Sequence, residues 1–138
     1  MRTFIAALLL IMCSSTVGAE IVVVASLDSP ISKMSQREVT NIFMAKTNRN
    51  SEGKRVTAIE LSDSDCKTEF YKVITGKTIS QLKSYWSKLI FTGKGKPPRS
   101  FDENKSLVEE LNNNDYAVTY IPANQLTQSM KVVYDFRN

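Results

Sequence analysis

Residues 79–99 read ISQLKSYWSKLIFTGKGKPPR. In the first part of the stretch Leu82, Tyr85, Trp86, Leu89 and Ile90 recur at helical spacing, so an amphipathic helix is expected there. The one-turn relation of Trp86, the only tryptophan of the chain, to Leu82 and to Leu89–Ile90 places its indole in a core. Phe91-Thr92-Gly93-Lys94-Gly95-Lys96-Pro97-Pro98 then breaks the pattern, because glycines and paired prolines cannot continue a helix.

Working outward, the upstream half holds two strands and two helices. Glu20-Ile21-Val22-Val23-Val24-Ala25 is a nearly continuous apolar run, as in a strand covered on both faces. Asp28-Ser29-Pro30 ends it. Ser35-Gln36-Arg37-Glu38 is a capping box, in which each end of the tetrad satisfies an amide of the other. It opens a helix with Val39, Ile42 and Phe43 on one face. Arg55 to Leu61 reads as a second strand. Ser62-Asp63-Ser64-Asp65 supplies several possible caps for a helix carrying Phe70, Tyr71, Val73 and Ile74, which Gly76 stops.

Downstream, Thr78-Ile79-Ser80-Gln81 is a second capping box, opening the Trp86 helix. After the Pro-rich loop, Asp102 can cap a helix with Leu107, Val108 and Leu111. Tyr116 to Ile121 is a strand, Pro122 can begin a short helix, and Lys131 to Phe136 is the last strand. This order predicts an α/β fold, a central and mostly parallel sheet covered by helices, with no linker dividing it.

The N-terminus has the layout of a cleavable secretory signal: Arg2, an apolar Phe4–Met12, and Val17-Gly18-Ala19 as cleavage site. The apolar run is well short of the roughly 20 residues of a membrane span. Met12 before Cys13 does not suit lipidation. The expected organisation is therefore residues 1–19 as signal and 20–138 as one domain in the periplasm. Loss of Cys13 leaves Cys66 alone, so no intramolecular disulfide can form; it is a buried small residue or a thiol able to pair two chains.

Formal charge is +4 at pH 7, with no histidine in the chain. Without histidine the commonest general base and metal ligand are both missing. Ser64 or Cys66 would have to rely on Lys67 as base, and no motif supports that, so no enzyme and no cofactor are expected. Gly76-Lys77-Thr78 has the ending of a phosphate-binding loop, but Tyr71 stands where the pattern needs glycine; it reads as a helix stop and cap. Asp63, Asp65 and Glu69 lack the glycine of a calcium loop and read as caps, so no metal is expected. No basic motif interleaved with aromatics suggests nucleic acid.

Ile42-Phe43-Met44-Ala45-Lys46, the Ser62–Phe70 loop and helix start, Tyr85-Trp86 with Phe91–Pro98, and Ala117-Val118-Thr119-Tyr120 occur in an order that resembles the small phosphate-binding-protein-like family of bacterial periplasmic proteins. These are one-lobe relatives of the solute-binding components of phosphate importers. The resemblance implies a single lobe of the type II periplasmic-binding-protein-like fold. Ala45 and Thr119 stand where the family has glycine. In full-length phosphate binders the loop after the second strand reads Arg-x-Asp-Gly-Ser-Gly-Thr. Here Ser64 matches the serine, Glu60 falls at the arginine, Asp63 and Asp65 replace both glycines, Cys66 replaces the threonine and Lys67 restores one positive charge.

Two functions follow as expectations. The leading one is a non-enzymatic binding or adaptor protein that recognises an envelope protein or component. The alternative is a solute-binding protein for phosphate or another small anion, associated with uptake or sensing. Ser62, Ser64 and Lys67 are the expected ligand residues; Lys94, Lys96 and Arg99 are the expected partner residues. The acidic replacements predict weak phosphate binding, since carboxylates at the mouth would repel the anion. The sequence leaves the oligomeric state open.

Overall fold

The computed structural model describes residues 20–64 and 66–137. The expected signal (1–19) and Asp65 of the expected cap series lie outside the described residues.

The elements in chain order are β1 (Ile21–Ser26), α1 (Gln36–Phe43), β2 (Thr57–Leu61), α2 (Lys67–Thr75), α3 (Ile79–Phe91), β3 (Arg99–Phe101), α4 (Asn104–Asn113), β4 (Ala117–Pro122), a single 3-10 turn (Ala123–Gln125) and β5 (Met130–Asp135). The strands form one sheet in the order β3-β2-β4-β1-β5. β2 is parallel to β3 and β4, whereas β1 is antiparallel to β4 and β5. Four of the five strands thus point one way, and β1 alone opposes them.

Every residue of β1 is buried, as its apolar run predicts. Its side chains alternate between two cores. Val23 and Ala25 face Phe43 of α1 and Phe70 and Tyr71 of α2, together with Val118 and Tyr120 of β4. Val22 and Val24 face Leu107 and Leu111 of α4 on the other side. The sheet is therefore a middle layer with helices on both faces, the expected α/β arrangement.

Both capping boxes form. Ser35 Oγ accepts from the Glu38 amide at 3.1 Å and Glu38 Oε2 accepts from the Ser35 amide at 2.7 Å. Glu38 Oε1 also takes the Ser51 amide at 2.7 Å, tying the loop before β2 to the start of α1. Burial tends to raise the pKa of this carboxyl, but its bonds to the Ser35 and Ser51 amides outweigh that and hold it below the ordinary value. At α3, Thr78 Oγ1 and the Gln81 amide are 3.2 Å apart, with Gln81 Oε1 returning to the Thr78 amide at 3.0 Å. Gly76 ends α2 in the left-handed region with φ of 72°.

Several expectations need correction. Helix α2 is preceded by Cys66, which makes no capping bond with its side chain, instead of by one of the expected Ser or Asp caps. Glu103, not Asp102, precedes α4 and likewise makes no capping bond, while Asp102 accepts a bond from Ser62 Oγ at 2.7 Å. The end of the Pro-rich loop is a short strand, β3, which pairs with the second half of β2. Arg55 bridges to Arg49 and lies before β2, which begins at Thr57.

The largest correction concerns α3. Among its residues only Leu82 is fully buried. Trp86 and Tyr85 are half-buried against the rim of the α1–α2 core, their rings edge to face at 5.0 Å. Ile90 and Phe91 are 56% and 92% exposed. Periodicity identifies residues that share a face, but the depth of that face depends on what the rest of the chain packs against it.

Candidate functional site

The expected ligand residues gather where β2 gives way to α2. Alternation along β2 sends Ile59 and Leu61 toward α4 and Ala58 toward the helices on the opposite face. The same alternation carries Glu60 inward with Ala58. Its side chain is 3% exposed and its two oxygens are taken by phenols. Tyr71 of α2 donates to Oε1 at 2.7 Å and Tyr120 of β4 donates to Oε2 at 2.8 Å. Lys67 Nζ lies 3.4 Å from Oε2.

A buried carboxylate is tolerated only where donors and a counter-charge replace its water. This network provides both. Burial first, and the neighbouring carboxylate second, push the pKa of both phenols well above the ordinary tyrosine value. Both therefore stay protonated and remain donors. Phe70 fixes the arrangement from behind, stacked on Tyr120 with centroids 3.8 Å apart and rings 12° from parallel.

Glu60 is thus an anchor beneath the loop, not a charge at its mouth. Strand alternation points it inward, although a carboxylate in a strand ordinarily reads as solvent-facing. Its phenol partners are 11 and 60 positions away in sequence.

The expected ligand groups have partners of their own. Lys67 Nζ, besides Glu60, is 3.5 Å from the Ser62 carbonyl. Ser62 Oγ donates to Asp102, and Ser64 Oγ lies 3.2 Å from Cys66 Sγ. Cys66 is buried, the first of the two readings of that thiol. Asp63, Ser64, Cys66, Tyr120 and Gln125 contribute to a cleft of about 230 Å³ at this end of the sheet. Cys66, which precedes α2, brings the start of that helix beside the cleft, where the dipole favours negative charge; Asp63 contributes an exposed carboxylate, and Ser62 and Lys67 are not among the lining residues.

The expected partner residues lie elsewhere. Lys96 and Arg99 line a second cleft, about 590 Å³, with Ile42, Ala45, Arg55 and Pro97 beside the start of β2. Arg99 is committed in part to α4: its guanidinium is 3.6 Å from Glu110 and stands over the Phe101 ring at 4.8 Å. Lys94 is exposed on the turn that follows α3. The two sets flank opposite ends of β2. Among the described residues no three acidic or thiol side chains gather as a metal site.

Three solved structures share this architecture. An ABC-type phosphate transport receptor from Vibrio cholerae superposes with a TM-score of 0.60 at 13% identity, over 83% of this chain and 45% of its own. A putative phosphate ABC transporter substrate-binding protein from Clostridium perfringens, solved with bound phosphate, gives 0.57 at 17% over 83% and 44%. A possible phosphate-binding protein from Planctomyces limnophilus gives 0.58 at 16% over 83% and 40%. The fold is theirs. It is the α/β binding-protein-like lobe that the sequence resemblance implies. The chain spans less than half the length of these structures. No protein-family model and no curated protein sequence matches it.

Proposed function

We propose that the protein is an exported, non-enzymatic solute-binding lobe that takes a small oxyanion of the phosphate class at the start of α2, with Ser64 and Lys67 as ligands and Ser62 at the rim. The observation that carries this reading is the shared architecture: all three of those structures are described as phosphate receptors or binding proteins. The local chemistry agrees in kind, since a helix N-terminus, a hydroxyl and an ammonium all favour an anion. The comparisons favour this solute-binding reading over the adaptor reading. The adaptor reading would also need the loops at the two ends of β2 to act together.

The network around Glu60 makes the proposed site weak. Lys67 already neutralises a buried carboxylate, and Asp63 adds a repelling charge at the rim. A unit charge about 4 Å from the anion is worth roughly 1 kcal/mol in water and about 4 kcal/mol at an effective dielectric near 20. Glu60→Gln keeps the shape and one acceptor for the phenols while releasing Lys67. Calorimetry with inorganic phosphate should give millimolar binding for the parent, at least about tenfold tighter binding for Glu60→Gln, and none for Lys67→Gln. Absence of heat in both parent and Glu60→Gln would end the proposal. Export is checked by the intact mass of the secreted protein, expected to begin at Glu20.

A further inference from the structure

From Phe70 to Phe101 the chain contains seven cationic side chains and no aspartate or glutamate. That stretch covers most of α2, the whole of α3 and the turn behind it. The cations are Lys72, Lys77, Lys83, Lys88, Lys94, Lys96 and Arg99. With a formal charge of only +4 over the whole chain, the remainder is net acidic, so the charge is strongly segregated.

At 3.6 residues per turn Phe91 points about 180° away from Leu82, the buried residue of α3. It therefore stands on the outward face, with Ser80, Ser84 and Ser87 in the preceding turns and Lys83 and Lys88 on either side. All five of these neighbours are exposed. The chain then folds back tightly: the Gly93 amide donates to the Ile90 carbonyl at 3.1 Å and the Lys94 amide to the Leu89 carbonyl at 3.0 Å. This keeps Lys94 close to the exposed Ile90–Phe91 pair. Lys83, Lys88 and Lys94 make no ion pair with any described residue.

We infer that the outward face of α3 and its closing turn dock on an anionic phospholipid surface, with Phe91 and Ile90 entering the headgroup region and Lys83, Lys88 and Lys94 pairing with lipid phosphates. A basic face that ends in a projecting aromatic carries the two elements of surface binding, cations for lipid phosphates and an apolar side chain to enter the headgroup region. The choice of cation favours lipid over an acidic protein. Protein interfaces are enriched in arginine and depleted in lysine, and all the cations of this face are lysines. The small serines between them let the face lie flat. Such binding holds the domain at the surface without a span; no helix among the described residues is long and apolar enough to cross a membrane.

The test is flotation of the full chain with vesicles of phosphatidylcholine alone or of equimolar phosphatidylcholine and phosphatidylglycerol. The readout is the difference between the parent and variants that share its N-terminus, so any apolar N-terminal contribution cancels. Preferential binding to the anionic vesicles is expected, falling steeply as salt rises from about 0.1 to 0.5 M. Lys88→Gln and Lys94→Gln should each weaken partition about fivefold, and Phe91→Ser about tenfold or more. All three positions are exposed, and unchanged thermal melts verify that the variants fold. Equal binding to both vesicle types, parent-like binding by all three variants, or binding to an acidic protein with none to vesicles would overturn the inference.

Discussion

Helices α2 and α3 follow one another on the same side of the sheet and are held by opposite means. Cys66, the residue before α2, makes no capping bond with its side chain, yet the helix buries Phe70, Tyr71 and Ile74. Phe70 contacts Phe43, Tyr71, Tyr120 and Phe136 in one aromatic cluster. α3 has a complete capping box, but among its residues only Leu82 is fully buried. The first is fixed by deep packing, the second by its own capping box, by Leu82 and by a rim of contacts that includes the bond from the Tyr85 hydroxyl to the Met44 carbonyl at 2.8 Å. The difference teaches that a helix can be well specified locally and still be a surface element, available for other work.

The sharpest way to break this contrast is to truncate the dominant aromatic of each helix. Phe70→Ala should cost about 3–5 kcal/mol, the range for a fully buried large aromatic. Trp86→Ala should cost about 1–2 kcal/mol, because a half-buried ring loses only part of that transfer free energy and leaves no closed cavity. Urea denaturation of both variants decides the matter, and a Trp86 effect equal to that of Phe70 would move α3 into the core.

A smaller effect probes the polar side of the α2 anchor. Tyr71→Phe removes one of the two phenol donors to Glu60, leaving a buried carboxylate oxygen short of a partner. About 1–3 kcal/mol of destabilisation is expected from that loss, again by denaturant unfolding. A neutral outcome would mean that Tyr120 and Lys67 suffice to hold the charge.

The smallest effect belongs to α3. Thr78→Ala removes the hydroxyl that accepts the Gln81 amide and should cost about 1 kcal/mol. Hydrogen exchange of amides in the first turn of α3 should rise more than that of amides in α2. A cost shared evenly between the two helices would contradict their independent anchoring.

The two capping boxes and the stop at Gly76 were legible because each depends on residues within a turn of one another, and the layering of the sheet was legible in the continuous apolar run of β1, which needs cover on both faces. What escaped depends on distant partners. β3 is only three residues long and exists because β2 offers its edge, and the burial of Glu60 depends on phenols from two other elements. Two departures from the family pattern were nonetheless informative. Ala45, standing for glycine, has φ of +56°, a left-handed conformation that glycine adopts without strain. Thr119, also standing for glycine, is buried with a hydroxyl that has no hydrogen-bond partner among the described residues. At Ala45 the resemblance marked a backbone conformation that favours glycine, and at Thr119 the cost is the buried hydroxyl. The loop between β2 and α2 was legible as a place in the fold, but the electrostatics of the candidate site were not, because Lys67 turns inward to Glu60.

The central place of β1 has a consequence for the order in which the molecule can assemble. Ile21 is in register with Pro122 and Val22 with Asp135, so both neighbours of the first strand come from the last part of the described chain. Until β4 and β5 arrive, the most apolar strand of the protein has no partner on either edge. Folding must therefore wait for long-range closure, a slow step in chains of this kind, and during that wait Ile21–Ala25 is a short β-prone segment without charge, open to pairing with another copy. A chain that emerges from its N-terminus would keep this strand unsatisfied until residues 117–135 have followed it, which makes a holding chaperone most useful at that one segment.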